Sequence, residues 1–202
     1  HFFFADTPGY PDFCGEAGMA IKAADTVLLC VDAVGGIGPG TIRAWRQARE
    51  SNTPRAIFLN GLDREQADFD HALKQLQNSY GASACIPFTL PVGQAGTLSG
   101  VVDVLAGKDA PAELQEPVAK YRGMLLDTVA EADEELMTRY LDGQELSPAE
   151  IAKGLHRAII SGALIPVFCG SAAKDIGVEQ LMNGIANFFP DPLAGGPLPL
   201  TE

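Results

Sequence analysis

The sequence turns on its first twelve residues, His1-Phe2-Phe3-Phe4-Ala5-Asp6-Thr7-Pro8-Gly9-Tyr10-Pro11-Asp12. Phe2 to Ala5 present nothing polar on either face, the pattern of a strand in a parallel sheet covered by helices on both sides. Such a strand is expected at the centre of the sheet. Pro8 and Gly9 then force the chain to turn, which puts Asp6 at the strand's carboxyl end, the rim where doubly wound folds bind ligands. Asp-x-x-Gly at that place has the shape of a magnesium-organising element in a nucleotide-binding protein. Asp6 would sit on the metal's water shell, and the Gly9 N–H would be free to donate to a terminal phosphate. The competing reading is an ordinary strand-to-helix turn, because so short a motif recurs by chance.

Outward from this turn, strand and helix patterns alternate. Asp12 is placed to cap a helix through Asp25 with Phe13, Ala17, Ala20, Ile21 and Ala24 on one stripe. Thr26 to Ala33 reads as a second buried strand, apolar on both faces. The Gly-rich connection from Val34 to Gly40 lacks a following Gly-Lys-Ser/Thr, so it reads as a loop rather than a phosphate cradle. A helix from Thr41 carries Ile42, Trp45 and Ala48. Arg55 to Asn60 is a third buried strand, a helix follows from about Glu65 to Ser79, and Ala84 to Leu90 is a fourth strand. This alternation predicts an α/β fold, a doubly wound and mostly parallel sheet.

The rhythm breaks between residues 91 and 163, where two amphipathic helical stretches, about 112–141 and 147–161, predict an inserted helical subdomain. Ser147-Pro148-Ala149-Glu150 reads as a capping box with proline at the first helical position. The run Glu131, Asp133, Glu134, Glu135 reads as a solvated helix face. Leu164 to Cys169 returns to the buried-strand pattern, and a last helix runs from Gly177 to about Phe189. The expected division is a core over 1–90 and 164–190, the insert over 91–163, and a Pro/Gly linker over 191–202 leading towards a following domain.

Fourteen Lys and Arg against twenty-six Asp and Glu give a net charge of −12. A surface so acidic repels polyphosphate backbones, so strong direct binding of nucleic acid by this chain is not expected. No apolar run reaches the length of a membrane span, and the start lacks a basic flank, which makes the cytosol the default compartment. Cys14, Cys30, Cys85 and Cys169 are scattered singly and read as core thiols, not as metal ligands or disulfides.

Three polar turns thus follow buried strands: Asp6 to Gly9, Asn60 to Asp63, and Gly170 to Ala172. In a parallel sheet those ends share one rim and can converge on one ligand. A carboxylate at Asp63 accepts two N–H groups, which guanine presents at N1 and N2 and adenine does not. Ser171 and the Ala172 N–H are placed to supply a donor facing the base oxygen.

At these residues the sequence resembles the translational GTPases, and within them the elongation factor G type. The likeness runs through Asp6-Thr7-Pro8-Gly9, Ala33-Val-Gly-Gly-Ile-Gly-Pro39, Trp45-Arg-Gln-Ala48, Asn60-Gly-Leu-Asp63-Arg64, Gly100-Val-Val-Asp103, Glu135-Leu-Met-Thr-Arg-Tyr-Leu141 and Cys169-Gly170-Ser171-Ala172. The resemblance implies a P-loop GTPase fold and a ribosome-stimulated GTPase that drives translocation or a related step. Its ligands would be GTP or GDP with Mg²⁺, bound by Asp6, Thr7, Pro8 and Gly9, by Asn60 and Asp63, and by Ser171 and Ala172, with Asp6 serving the metal. The helical insert resembles the family's extra subdomain, which implies the ribosomal stalk protein as a partner.

Three departures bear on activity. Gly61 stands where the family has a lysine whose stem covers one face of the base, so affinity should fall. Tyr10 stands where it usually has a histidine that orients the attacking water, as in the divergent second type of elongation factor G, and a phenol is a poorer partner for water activation at neutral pH. The family's phosphate-binding loop and first switch would precede His1. The expectation is therefore a fragment of a GTPase domain that alone shows no GTP hydrolysis and holds GTP at millimolar affinity or weaker. Two other readings stand beside it: a ribosome-interaction module that has lost turnover, and a plain doubly wound domain with unrelated chemistry.

Overall fold

In the computed structural model, which describes residues 1–93, 95–107, 110–131 and 134–192, the chain is built on four parallel strands in the order β1-β2-β6-β3. These are β1 (Val27–Asp32), β2 (Arg55–Asn60), β3 (Cys85–Pro87) and β6 (Ile165–Cys169). Each pairing is parallel, and the register runs from Val27 opposite Arg55 to Asp32 opposite Asn60, so β1 and β2 end side by side. A two-stranded antiparallel sheet, β4 (Thr89–Val92) with β5 (Gly100–Asp103), completes the strands among the described residues. The helices are α1 (Cys14–Ala23), α2 (Pro39–Glu50), α3 (Phe69–Tyr80), α4 (Gln115–Glu131), α5 (Glu134–Leu141), α6 (Pro148–Ser161) and α7 (Val178–Phe188). This is the doubly wound, mostly parallel α/β architecture the alternation predicts.

The core lies where the sheet is buried on both faces. Every residue of β6 is buried, as are Ala56 to Leu59 of β2. Both strands therefore read as near-continuous apolar runs, as strands covered on two sides must. Phe168 packs its ring 5.4 Å from that of Phe88, and α7 comes close enough that any side chain on Gly184 would strike it. The same hydrophobic cluster takes in Val118, Leu125 and Val129 of α4 and Leu155 and Ile159 of α6.

The opening segment departs most from expectation. Residues 1–9 form no strand, and Phe2, Phe3 and Phe4 are 50%, 98% and 67% exposed. An apolar run becomes a strand only when another strand takes up its N–H and C=O groups and a layer covers its faces. Here β1 pairs with β2 alone, and β2 and β6 hold the centre of the sheet. As an edge strand β1 is only half covered, which leaves Cys30 exposed; Cys14 is exposed too, so only Cys85 and Cys169 are core thiols. Asp12 caps nothing, because it sits inside a 3₁₀ turn (Pro11–Phe13), and of the expected stripe on α1 only Ile21 is buried.

Two other boundaries moved for local reasons. Helix α3 starts at Phe69, not near Glu65, because the Asp68 carboxylate accepts the His71 N–H at 2.9 Å and fixes the first turn there. The expected strand from Ala84 to Leu90 is split at Phe88. Its N–H bonds Val167 of the parallel sheet and its C=O accepts from Val104 beyond β5, so the chain changes sheets at that residue. Asp133 of the acidic run and the expected linker from residue 193 onward lie outside the described residues.

Helix α6 begins as its sequence dictates. The Ser147 hydroxyl accepts from the Glu150 N–H and the Glu150 carboxylate accepts from the Ser147 N–H, a complete capping box. Ser147→Ala should cost about 1 kcal/mol, read from the denaturant midpoint. The Ser147 hydroxyl, the Ser147 N–H and then Arg139 hold the Glu150 carboxyl down at about 2, against an ordinary 4.5. Because folding lowers this pKa, its contribution is full above pH 4.5 and drains away as the pH falls towards 2. The stability gap between wild type and Glu150→Gln should therefore narrow between about pH 6 and about pH 2.5; a constant gap would contradict this.

Candidate functional site

Three strand ends meet at the carboxyl rim of the parallel sheet and are laced together through the backbone. The Ala33 N–H donates to Asn60 O at 2.9 Å, joining β1 to β2. The Gly170 N–H donates to Leu59 O at 3.0 Å and the Leu62 N–H to Gly170 O at 3.1 Å, joining β2 to β6. These bonds place the turn after β2 directly against the turn after β6.

Within that pair of turns, Asn60, Asp63, Ser171 and Ala172 form one cluster. Asn60 Oδ1 accepts from the Gly61 N–H and from the Ala172 N–H, both at 2.9 Å. Its acceptor capacity is thus used inside the protein, and its Nδ2 hydrogens carry no hydrogen bond among the described residues. The Ser171 hydroxyl, fully buried, bonds the Asp63 carboxylate and holds it below the usual carboxylate range. The backbone N–H of Asp63 and the charges of Lys174 and Arg64 work in the same direction. Asp63 is therefore an ionised, acceptor-only group at neutral pH, partly open at the rim.

Ser171 is buried, its hydroxyl oxygen accepts the Lys174 N–H at 3.3 Å, and it hydrogen-bonds the Asp63 carboxylate. The Ala172 N–H is committed to Asn60 and so orients that amide. What the rim offers a ligand is a carboxylate beside amide donors. A guanine edge, with two N–H groups at N1 and N2 and acceptors at O6 and N7, matches that set, whereas adenine brings its own amino group and no N1–H.

The remaining expected residues stand apart. Asp6, Pro8, Gly9 and Tyr10 are exposed and Thr7 is half-buried, and no hydrogen bond among the described residues ties them to Asn60 or Asp63. The segment lies along the β1 edge. Partial desolvation on the half-covered edge first, and the Asp6 charge second, push the Cys30 thiol up, and the Gly9 carbonyl lies 3.8 Å from where a Cβ on Gly40 at the start of α2 would be. Two rim residues escaped the sequence reading: Asp32, the last residue of β1, and Arg64, which pairs with it. The signal for Asp32 was its place at the end of a strand that reads as buried from sequence, the same criterion that picked out Asn60.

The fold is that of an α/β nucleotide-binding domain, and the comparison with known families makes it a GTP-binding domain. Residues 1–191 match the elongation factor Tu GTP binding domain, and the chain belongs to that family, the GTPase domain of translation factors. Among solved structures it is similar to a crystal structure of a Thermus thermophilus protein, with 34% sequence identity and a TM-score of 0.85 over 93% of this chain. The chain spans 30% of the length of that protein.

Proposed function

We propose that this chain is the guanine-nucleotide-binding portion of an elongation factor G-like translational GTPase that acts in the cytoplasm on the ribosome, in translocation or a related step. The observation that carries the reading is the convergence of Asn60, Asp63, Ser171 and Ala172, with Asp63 ionised and Asn60 oriented by two backbone donors. In this reading Asp63 and Asn60 bind the base edge, and Ser171 and Ala172 act by holding them. Asp6 serves a phosphate-borne Mg²⁺ through its water shell. One carboxylate suits that role, since Mg²⁺ keeps several waters and takes one or two carboxylates besides phosphate oxygens. Thr7, Pro8 and Gly9 shape the turn at the γ-phosphate, and Tyr10, 75% exposed, stands where an attacking water would be oriented.

The helices between β5 and β6 are proposed as the inserted subdomain that meets the ribosomal stalk protein. No helix among the described residues is long and apolar enough to cross a membrane.

The test is GTP turnover by the protein that carries this sequence, measured with and without ribosomes. Stimulated turnover supports the reading. Ribosome binding without stimulated turnover would favour instead an interaction module that has lost hydrolysis, the reading to which Tyr10 points. No association with ribosomes would contradict both.

A further inference from the structure

Gly61, between the two base-reading residues, has no side chain and a left-handed backbone, with φ at 81°. What covers it is Arg64. A Cβ on Gly61 would meet the Arg64 guanidinium at 2.6 to 3.1 Å. The guanidinium nitrogen nearest Gly61, Nη2, also donates to Asp32 Oδ1, and that same oxygen accepts the Val34 N–H at 3.1 Å, which fixes the carboxylate at the end of β1. The two side chains stay about half exposed, 52% and 45%. A planar cation is thus held across the mouth between β1 and β2, over the peptide that links Asn60 to Asp63.

A purine whose edge meets Asn60 and Asp63 must pass its ring across Gly61, and edge contacts alone leave that ring without a face. A guanidinium can stack on an aromatic ring while its in-plane N–H groups stay bonded to a carboxylate. We infer that Arg64, oriented by Asp32, forms one wall of the base slot by stacking on the purine over Gly61. The inference rests on the guanine reading of Asn60 and Asp63. Arg64 is here a base-stacking residue and Asp32 a positioning residue. Since stacking does not read the exocyclic groups, Arg64 adds affinity for any purine, and discrimination stays with Asp63.

The test uses the 202-residue chain with ¹⁵N-labelled arginine, titrated with GDP and with inosine diphosphate, which lacks the N2 amino group. The Arg64 Nε–H is expected to shift upfield under the ring current of the bound base. Arg64→Ala and Arg64→Lys should both reduce the initial slope of the titration about 3- to 30-fold for GDP and for inosine diphosphate alike, the range that a cation over a ring supports. Asp32→Asn should produce a smaller loss in the same direction. Unchanged β2 and β6 amide signals in the variants show that the fold is intact. Wild-type affinity in Arg64→Lys would show a plain charge effect and overturn the inference. So would a stationary Nε–H while the Gly61 and Asp63 amides shift. If those amides also stay still at high GDP, the guanine reading fails, and the stacking role with it.

Discussion

Asp63→Asn is expected to lower the affinity for guanine nucleotide by about two orders of magnitude, the consequence of removing a charged acceptor that two donors share. Guanine offers N1–H and N2–H₂ on one edge. An ionised carboxylate accepts both, whereas asparagine turns either its single oxygen or a clashing amide N–H₂ towards them. The loss has a chemical signature that distinguishes it from unfolding. A purine with an oxygen in place of the exocyclic amino group should bind the variant better than guanine does, because the new amide can donate to it. The effect should also follow pH. Hydrogen bonding from Ser171 keeps the Asp63 carboxyl below its ordinary range, so wild-type guanine binding should persist on mild acidification and fail only when that lowered pKa is crossed. Comparing GDP with xanthosine diphosphate on wild type and variant, by titration of amide signals, measures both.

The second large effect concerns the scaffold. Phe168→Ala should destabilise the protein by about 3–5 kcal/mol, the range for deleting a buried aromatic ring. Phe168 is 2% exposed, lies 5.4 Å from Phe88 and 6.3 Å from Phe189 between ring centroids, and rests against α7 where Gly184 lets the helix approach. Its strand, β6, ends in the turn that carries Ser171 and Ala172. The cavity should therefore loosen the turn proposed to hold the base, as well as the core. Thermal unfolding should shift down by roughly 6–20 °C for a chain of this size. A shift of less than about 3 °C would mean that the ring's neighbours collapse to fill the space.

Much of this fold was legible because its central strands carry their own addresses. Arg55 to Asn60 is apolar through its four central residues and polar at its rim, and it forms a strand with those bounds. The Ser147 to Glu150 capping box is equally local, and its partners lie within one helical turn. Phe2 to Ala5 looked the same by composition and yet is uncovered. Apolarity states that a segment gains by burial, but the ladder that would receive it is a tertiary fact. Ala84 to Leu90 failed for a related reason, since nothing local marks Phe88 as the residue that bonds two sheets.

The site was half legible. Asn60 and Asp63 could be found because they sit three residues apart after a buried strand, and Ser171 because it follows another. Their mutual contacts could not, because the hydrogen bond between buried Ser171 and Asp63 and the commitment of the Ala172 N–H to Asn60 exist only once β2 and β6 are neighbours. Gly61 read as a loss, and only the folded chain places Arg64 over it. Asp6 to Tyr10 could be named as a motif, but their convergence with the base turns is a proposal about the nucleotide-bound protein.

The most direct measurement is the titration of the ¹⁵N-labelled chain with GDP and, separately, with ADP, following the backbone amides of Gly61, Asp63 and Ala172. Concentration-dependent shifts are expected at all three with GDP and far smaller ones with ADP. Equal responses to the two nucleotides, or shifts elsewhere with none at this rim, would contradict a guanine-reading site.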